Sequence, residues 1–189
     1  TSGAATLVAY VGSLLLLMSL AVYGQWVVSG VLEERNNRVV ELILATVRPR
    51  HLLAGKVIGI GLIGLAQLAL IAGLAAVLLA AGAFDAPTSL GADLALVIPW
   101  FALGFALYAI AFAAAGALAS RQQNADTAGQ PVMYTLVAVY FAGYVALSVN
   151  PDGPLANILT VLPVTAPLVL PARSALVGGP VWQHALAVV

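Results

Sequence analysis

The sequence predicts an all-α, polytopic membrane protein with four complete spans, a broken external hairpin and the start of a further span. Two observations carry that fold class. Of the 189 residues, 62% are hydrophobic and 7% charged, with a mean hydropathy of +1.06; a soluble domain carries about 25% charged residues. Seven Lys/Arg and seven Asp/Glu cannot furnish a water-facing shell. The second observation is where the charges are missing: Thr1 to Leu32, Val57 to Phe84, Leu94 to Ser120 and Thr127 to Pro151 hold none. Each window exceeds the roughly 20 apolar residues needed to cross about 30 Å of hydrocarbon. In lipid the backbone must satisfy its own hydrogen bonds, so the windows are expected as helices. A membrane β-barrel would alternate polar and apolar residues; LLLLMSL (14–20) and AQLALIAGLAAVLLAAG (66–82) do not.

The first span is expected at about 5–31. It has no basic leader, and its apolar run is too long for a signal peptide. The chain opens on Thr1 and closes inside HALAVV (184–189). It therefore reads as a piece of a longer protein, with at least one span upstream and a truncated last span from about 181. The second, third and fourth spans are expected at about 54–82, 94–119 and 131–149. Pro131 fits the first position of a helix.

Orientation follows from Lys and Arg in the short connections. Arg35, Arg38, Arg48, Arg50 and Lys56 lie between the first and second spans, and Arg121 between the third and fourth. The 83–93 loop has only Asp85 and Asp93, and beyond Asn150 the sole basic residue is Arg173. Residues 32–56 and 120–130 are thus expected to be cytoplasmic, and 83–93 and 150–180 external, in a multi-pass chain held in the lipid bilayer of the cell membrane.

Between the first two spans, the periodicity predicts an amphipathic cytoplasmic helix over about 33–48. At 100° per residue, Val39, Val40, Ile43 and Val47 share one face, and Glu34, Asn37, Arg38 and Glu41 the other. Glu34–Arg38 and Arg38–Glu41 have the spacing of intrahelical ion pairs. Arg48 precedes Pro49, which favours a turn. Two readings fit: a helix lying among the headgroups, or a helix that docks on a partner.

Residues 150–180 contain Pro151, Pro154, Pro163, Pro167, Pro171 and Pro180, too many for a straight span, yet Ile158 to Leu170 is strongly apolar. A broken external hairpin meets both facts if protein covers its backbone. Arg173 is expected to snorkel to the headgroups.

Within the spans, Gly55 and Gly59 form a GxxxG pair, Gly61 and Gly64 extend it, and AFAAAGALAS (111–120) is a second small-residue run; such surfaces permit close helix packing. Gln25 and Gln67 are polar candidates for a pathway or for packing, with Tyr108, Tyr134, Tyr140 and Tyr144. No ionisable acid or base falls in these windows, which argues against an intramembrane proton relay.

Other chemistries find little footing. There is no cysteine, hence no disulfide or thiolate. No HExxH zinc motif appears, and no GxSxG elbow; no catalytic, metal or cofactor residue is expected. Gly55-Lys56 resembles the end of a phosphate-binding loop, but Arg50 replaces the first glycine and Val57 the Ser/Thr. Zero net charge offers no field for nucleic acid.

VLEERNNRVVELILATVRPRHLLAGKVIG (31–59) resembles the cytoplasmic signature of ABC type-2 exporter permeases: an acidic-basic stretch, an ELxLAT-like run, a proline turn, then LLxGKxxG. VLPVTAPLVLPAR (161–173) resembles the same family's Pro-rich external segment. The resemblance covers nearly the whole chain and implies a permease subunit, not an enzyme. Segment 33–48 becomes a coupling helix, with Glu33, Glu34, Arg38, Glu41, Arg48 and Arg50 toward a separate ATP-binding cassette ATPase subunit that binds the ATP and magnesium. A second permease subunit, identical or not, would complete the pathway. The implied subgroup carries a large external domain between its first two spans, so this chain would begin at the second. Two alternatives come from other classes. Glu33-Glu34-x-x-x-Arg38 matches the EExxxR string of CAAX-protease-like enzymes, but His51 and His184 fit neither FxxxH nor HxxxN. A non-transporting membrane scaffold is the other. The transported substrate is not legible.

Overall fold

The structure, a computed structural model, describes residues 3–36, 49–82, 90–119 and 125–177. Six helices follow in order: α1 (Gly3–Asn36), α2 (Pro49–Ala80), α3 (Leu90–Leu118), α4 (Ala125–Val149), α5 (Pro154–Val161) and α6 (Ala166–Val177). The described residues are helical with short connections, and four helices are long and apolar enough to cross a membrane. The all-α polytopic expectation holds.

Helix ends follow the local chemistry. α2 starts on Pro49, where a missing N–H costs nothing. α1 has 34 residues, about 51 Å of helix, longer than the hydrocarbon core. It therefore continues unbroken past residue 31 through Glu33 to Asn36. Pro131, read from sequence as a helix start, instead lies inside α4. The polar residues 125–130 already form helix ahead of it, and the proline ring displaces only the single bond that its N–H would have made.

α1 is the central helix. It packs against α2, α3, α4 and α6, while α2 touches chiefly α1 and α3. The main core joins Leu16, Leu20, Val27 and Val28 of α1 to Phe101 and Phe112 of α3, Leu136 of α4 and Leu168 of α6. Lipid tails are as apolar as leucine, so such helices are held by close fit and by interhelical hydrogen bonds. The fit is built on glycine. A Cβ on Gly24 would clash with Cε2 and Cδ2 of the Phe112 ring; on Gly104 it would lie 2.8 Å from Pro167 Cβ, and on Gly143 2.6 Å from Val169 Cγ2. In the small-residue run of the third span, a Cβ on Gly116 would stand 3.2 Å from Val31 Cβ.

The proline-rich segment does form a broken hairpin. Pro154 opens α5, and α5 and α6, with 8 and 12 residues, are about 12 and 18 Å long, too short to span. Thr165 between them donates its hydroxyl to the carbonyl oxygens of Leu159 and Leu162. Residues Ala166 to Ser174 of α6 are all buried, against α1, α3 and α4.

Candidate functional site

The polar groups gather in two places. One is the seam between α1 and α2. At its end nearest the 37–48 segment, Lys56 Nζ donates to Glu33 Oε2 at 2.9 Å and to the Gly30 carbonyl at 3.5 Å. Gly30 has no side chain to block this approach: a Cβ there would lie 2.9 Å from Lys56 Cδ. The two side chains are 38% and 72% exposed, so the pair contributes about 0–1 kcal/mol. What it supplies is geometry, because it ties the last turns of α1 to the first turns of α2, the two helices that flank residues 37–48.

Farther along the seam, the Tyr23 hydroxyl donates to Gln67 Oε1. The Trp26 ring meets Tyr23 edge-on, with centroids 5.3 Å apart at 88°. Tyr23 also meets Phe101 at 6.4 Å and 78°. Gly64 admits this cluster, since a Cβ there would stand 2.7 Å from Phe101 Cζ and 3.0 Å from Tyr23 Cδ2. Gln25 points elsewhere: it is half-buried, and Gly129 of α4 makes room for its amide. Among the described residues, no atom lies within 4 Å of where a Cβ on Gly55 or Gly59 would be. Of the remaining sequence-derived coupling residues, Glu34 falls in α1 and Arg50 in α2. Arg38, Glu41 and Arg48 lie outside the described residues.

The second cluster is the proline-rich hairpin of α5 and α6. Arg173 is 6% exposed. Its guanidinium donates to Thr160 Oγ1 at 3.4 Å and to Asp152 Oδ1 at 3.4 Å. The expected snorkelling is therefore replaced by an inward turn. A buried charge is costly unless paired and hydrogen-bonded, and the Asp152 carboxylate and Thr160 hydroxyl supply those partners. Nearby, the Tyr108 hydroxyl donates to the Val164 carbonyl at 2.8 Å, fixing the α5–α6 turn to α3. Tyr10 and Ser148 share a hydrogen bond at 2.9 Å, and Tyr10 packs on Tyr144 at 4.8 Å. Tyr134 bonds to Gln130 on the same helix. Among the described residues, no three His, Asp or Glu come together to hold a metal.

The described residues thus form a helical body with polar ties along the α1–α2 seam and at the α5–α6 hairpin. A family described as "ABC-2 family transporter protein" matches residues 1–189, the whole chain. The chain belongs to the ABC-2 transporter family. Two relatives agree in length of match. The uncharacterized protein YhaP of Bacillus subtilis is 25% identical over 190 aligned residues, covering 95% of this chain and 45% of its own length. The uncharacterized protein MJ1024 of Methanocaldococcus jannaschii is 28% identical, covering 92% of this chain and 42% of its own. This ABC-2 chain thus spans less than half the length of those relatives. No solved structure matches it. As a member of a membrane transport family with four helices fit to cross the bilayer, the ABC-2 chain is a multi-pass membrane protein.

Sequence reasoning singled out Glu33 and Gln67 but missed their partners. Lys56 served as a topology marker and as part of the LLxGKxxG run, without a partner, and Tyr23 carried no signal of its own. A helical-wheel comparison of α1 and α2 would have placed Glu33, Gly30, Trp26 and Tyr23 on one stripe of α1.

Proposed function

We propose that this chain is the membrane-spanning permease part of an ATP-binding cassette exporter. It forms the translocation pathway with a second permease subunit and couples to a separate ATPase subunit. The observation that carries the reading is the match of the ABC-2 transporter family to all 189 residues. The tie between Glu33 and Lys56 suits the coupling role. A push on the connecting segment reaches α1 and α2 together, and α1 bears on α3, α4 and α6. In this reading ATP and magnesium stay in the partner, the segment around 33–48 faces the cytoplasm, and the longer protein carries an external domain ahead of α1.

Affinity purification of the full-length protein in mild detergent tests this. An ATP-hydrolysing subunit is expected to co-elute in stoichiometric amount, at low and high salt. Recovery of the protein with no such subunit under either condition overturns the proposal.

Sidedness has its own test, helped by the absence of cysteine in this chain. Single cysteines at Asn37, Ser89, Asn124 and Leu155 are introduced into an otherwise cysteine-free full-length protein. An impermeant maleimide applied to intact cells is expected to label Ser89→Cys and Leu155→Cys only. Leu155 is 52% exposed and avoids Asp152, whose carboxylate holds Arg173. Labelling of Asn37→Cys from outside reverses the assignment.

A further inference from the structure

The seam between α1 and α2 holds polar groups at a depth where lipid offers them nothing. The two spans run Ala9–Glu33 and His51–Leu78. Tyr23 and Gln67 each lie two to three residues from the centre of their span, about 4 Å along a helix axis. Trp26, five residues from the centre, is 49% exposed, although tryptophan ordinarily prefers the membrane–water interface. Gln67 is also exposed. Its carbonyl oxygen accepts from Tyr23, but its amide nitrogen has no acceptor among the described residues. Neither has the Trp26 indole N–H. A donor left unpaired in hydrocarbon is unfavourable, so this face is suited to something other than acyl chains.

We propose that the α1–α2 seam at Tyr23, Trp26 and Gln67 is a cargo site for a neutral, largely apolar molecule bearing a carbonyl oxygen, such as a ketone, ester or amide. This rests on the transport reading above. Three features define the ligand. The unpaired groups are donors, so the complement is an acceptor. The Trp26 ring, half-exposed beside the buried Tyr23 that holds Gln67, offers apolar surface and tolerates a flat partner. Tyr23, Trp26 and Gln67 carry no charge, and Glu33 and Lys56, farther along the seam, pair with one another at 2.9 Å, so these three side chains themselves offer no charge to hold an ionic ligand. Ligand sites commonly combine an apolar lining with a few placed polar groups in this way.

Benzophenone is a suitable probe, being a neutral apolar ketone that crosslinks on illumination. The full-length protein with its ATPase partner is placed in nanodiscs, photolabelled over a concentration series, and mapped by mass spectrometry. Saturable adducts are expected within residues 19–30 of α1 and 63–74 of α2, protected by methyl benzoate but not by the cation tetraphenylphosphonium. Gln67→Met and Trp26→Leu should each lower the saturable adducts at least about fivefold, with unchanged elution profiles. Leu70→Ala, at a position 75% exposed, should not. Unsaturable labelling spread over the lipid-facing helices overturns the proposal. So does protection by the cation, or oxidative crosslinking of Gln67→Cys between two copies, which would mean a second chain covers the seam. Retention of the ATPase subunit is read on the same samples. If it stays while saturable labelling is absent, the cargo site fails alone; if it is lost in unmutated protein, the transport reading fails.

Discussion

Gly24→Leu is expected to abolish recovery of folded protein. Gly24 sits mid-way along α1 against the face of Phe112, which is fully buried in α3. Even one added carbon would clash with that ring at Cε2 and Cδ2. The ring is no flexible chain end that can swing aside; it is enclosed by the core it shares with Leu20, Val27 and Val28 of α1. Overpacking a close-fitted core costs about 1–3 kcal/mol, and a full leucine at this contact belongs at the upper end. A loss of about 2 kcal/mol already lowers the folded-to-unfolded ratio more than tenfold. In detergent, the monodisperse peak should collapse and the thermal transition should fall or vanish. Gly24→Ala should be milder, and Phe112→Ala in that background should restore part of the loss, as expected for residues in direct contact. Gly73→Leu, where nothing lies within 4 Å, should fold normally. Normal folding of Gly24→Leu would show that α1 and α3 do not meet here.

Charge reversal in the connecting segment should be as damaging to transport while sparing the fold. Arg38→Glu and Glu41→Lys, made singly in the full-length protein, are expected to leave insertion and protein level near normal. Co-purification of the ATPase subunit and substrate-stimulated hydrolysis should each fall at least several-fold. An exposed ion pair among the headgroups contributes about 0–1 kcal/mol, so a merely interfacial helix would tolerate either change. At a docked, partly desolvated contact, reversal brings like charges together and costs several kcal/mol. Unchanged association and hydrolysis in both variants, at low and high salt, would assign this segment to the membrane surface instead.

The spans were legible because composition alone decides them: four charge-free windows in lipid have only the helical solution. The break after Asn150 was legible in its prolines. Which faces meet was not. The GxxxG spacing of Gly55 and Gly59 marked a packing surface, yet neighbours in this chain close on Gly61, Gly64 and Gly116, which the small-residue pattern also marked, and on Gly24, Gly104 and Gly143, which it did not. Spacing shows that residues share a face but says nothing of where the face is turned. The polar ties share that difficulty, since Tyr23–Gln67 and Glu33–Lys56 join residues 44 and 23 positions apart. Arg173 illustrates a different gap. Its hydrophobic stem and cationic tip suggested a headgroup anchor; the structure turns it inward because Asp152 and Thr160, on neighbouring turns of the hairpin, meet the guanidinium there.

The position of that hairpin bears on how the chain is made. α6 fits against α1, α3 and α4, all of which leave the ribosome before it, since chains fold from the N-terminus as they are synthesised. The notches at Gly104 and Gly143 thus stand open until Pro167 and Val169 arrive to fill them. Arg173 emerges 21 residues after Asp152, so its carboxylate partner is already outside when the guanidinium is delivered. A nascent chain stalled before Ala166 would present an empty apolar socket to the membrane insertion machinery, because α6 is the last of the described helices to be synthesised.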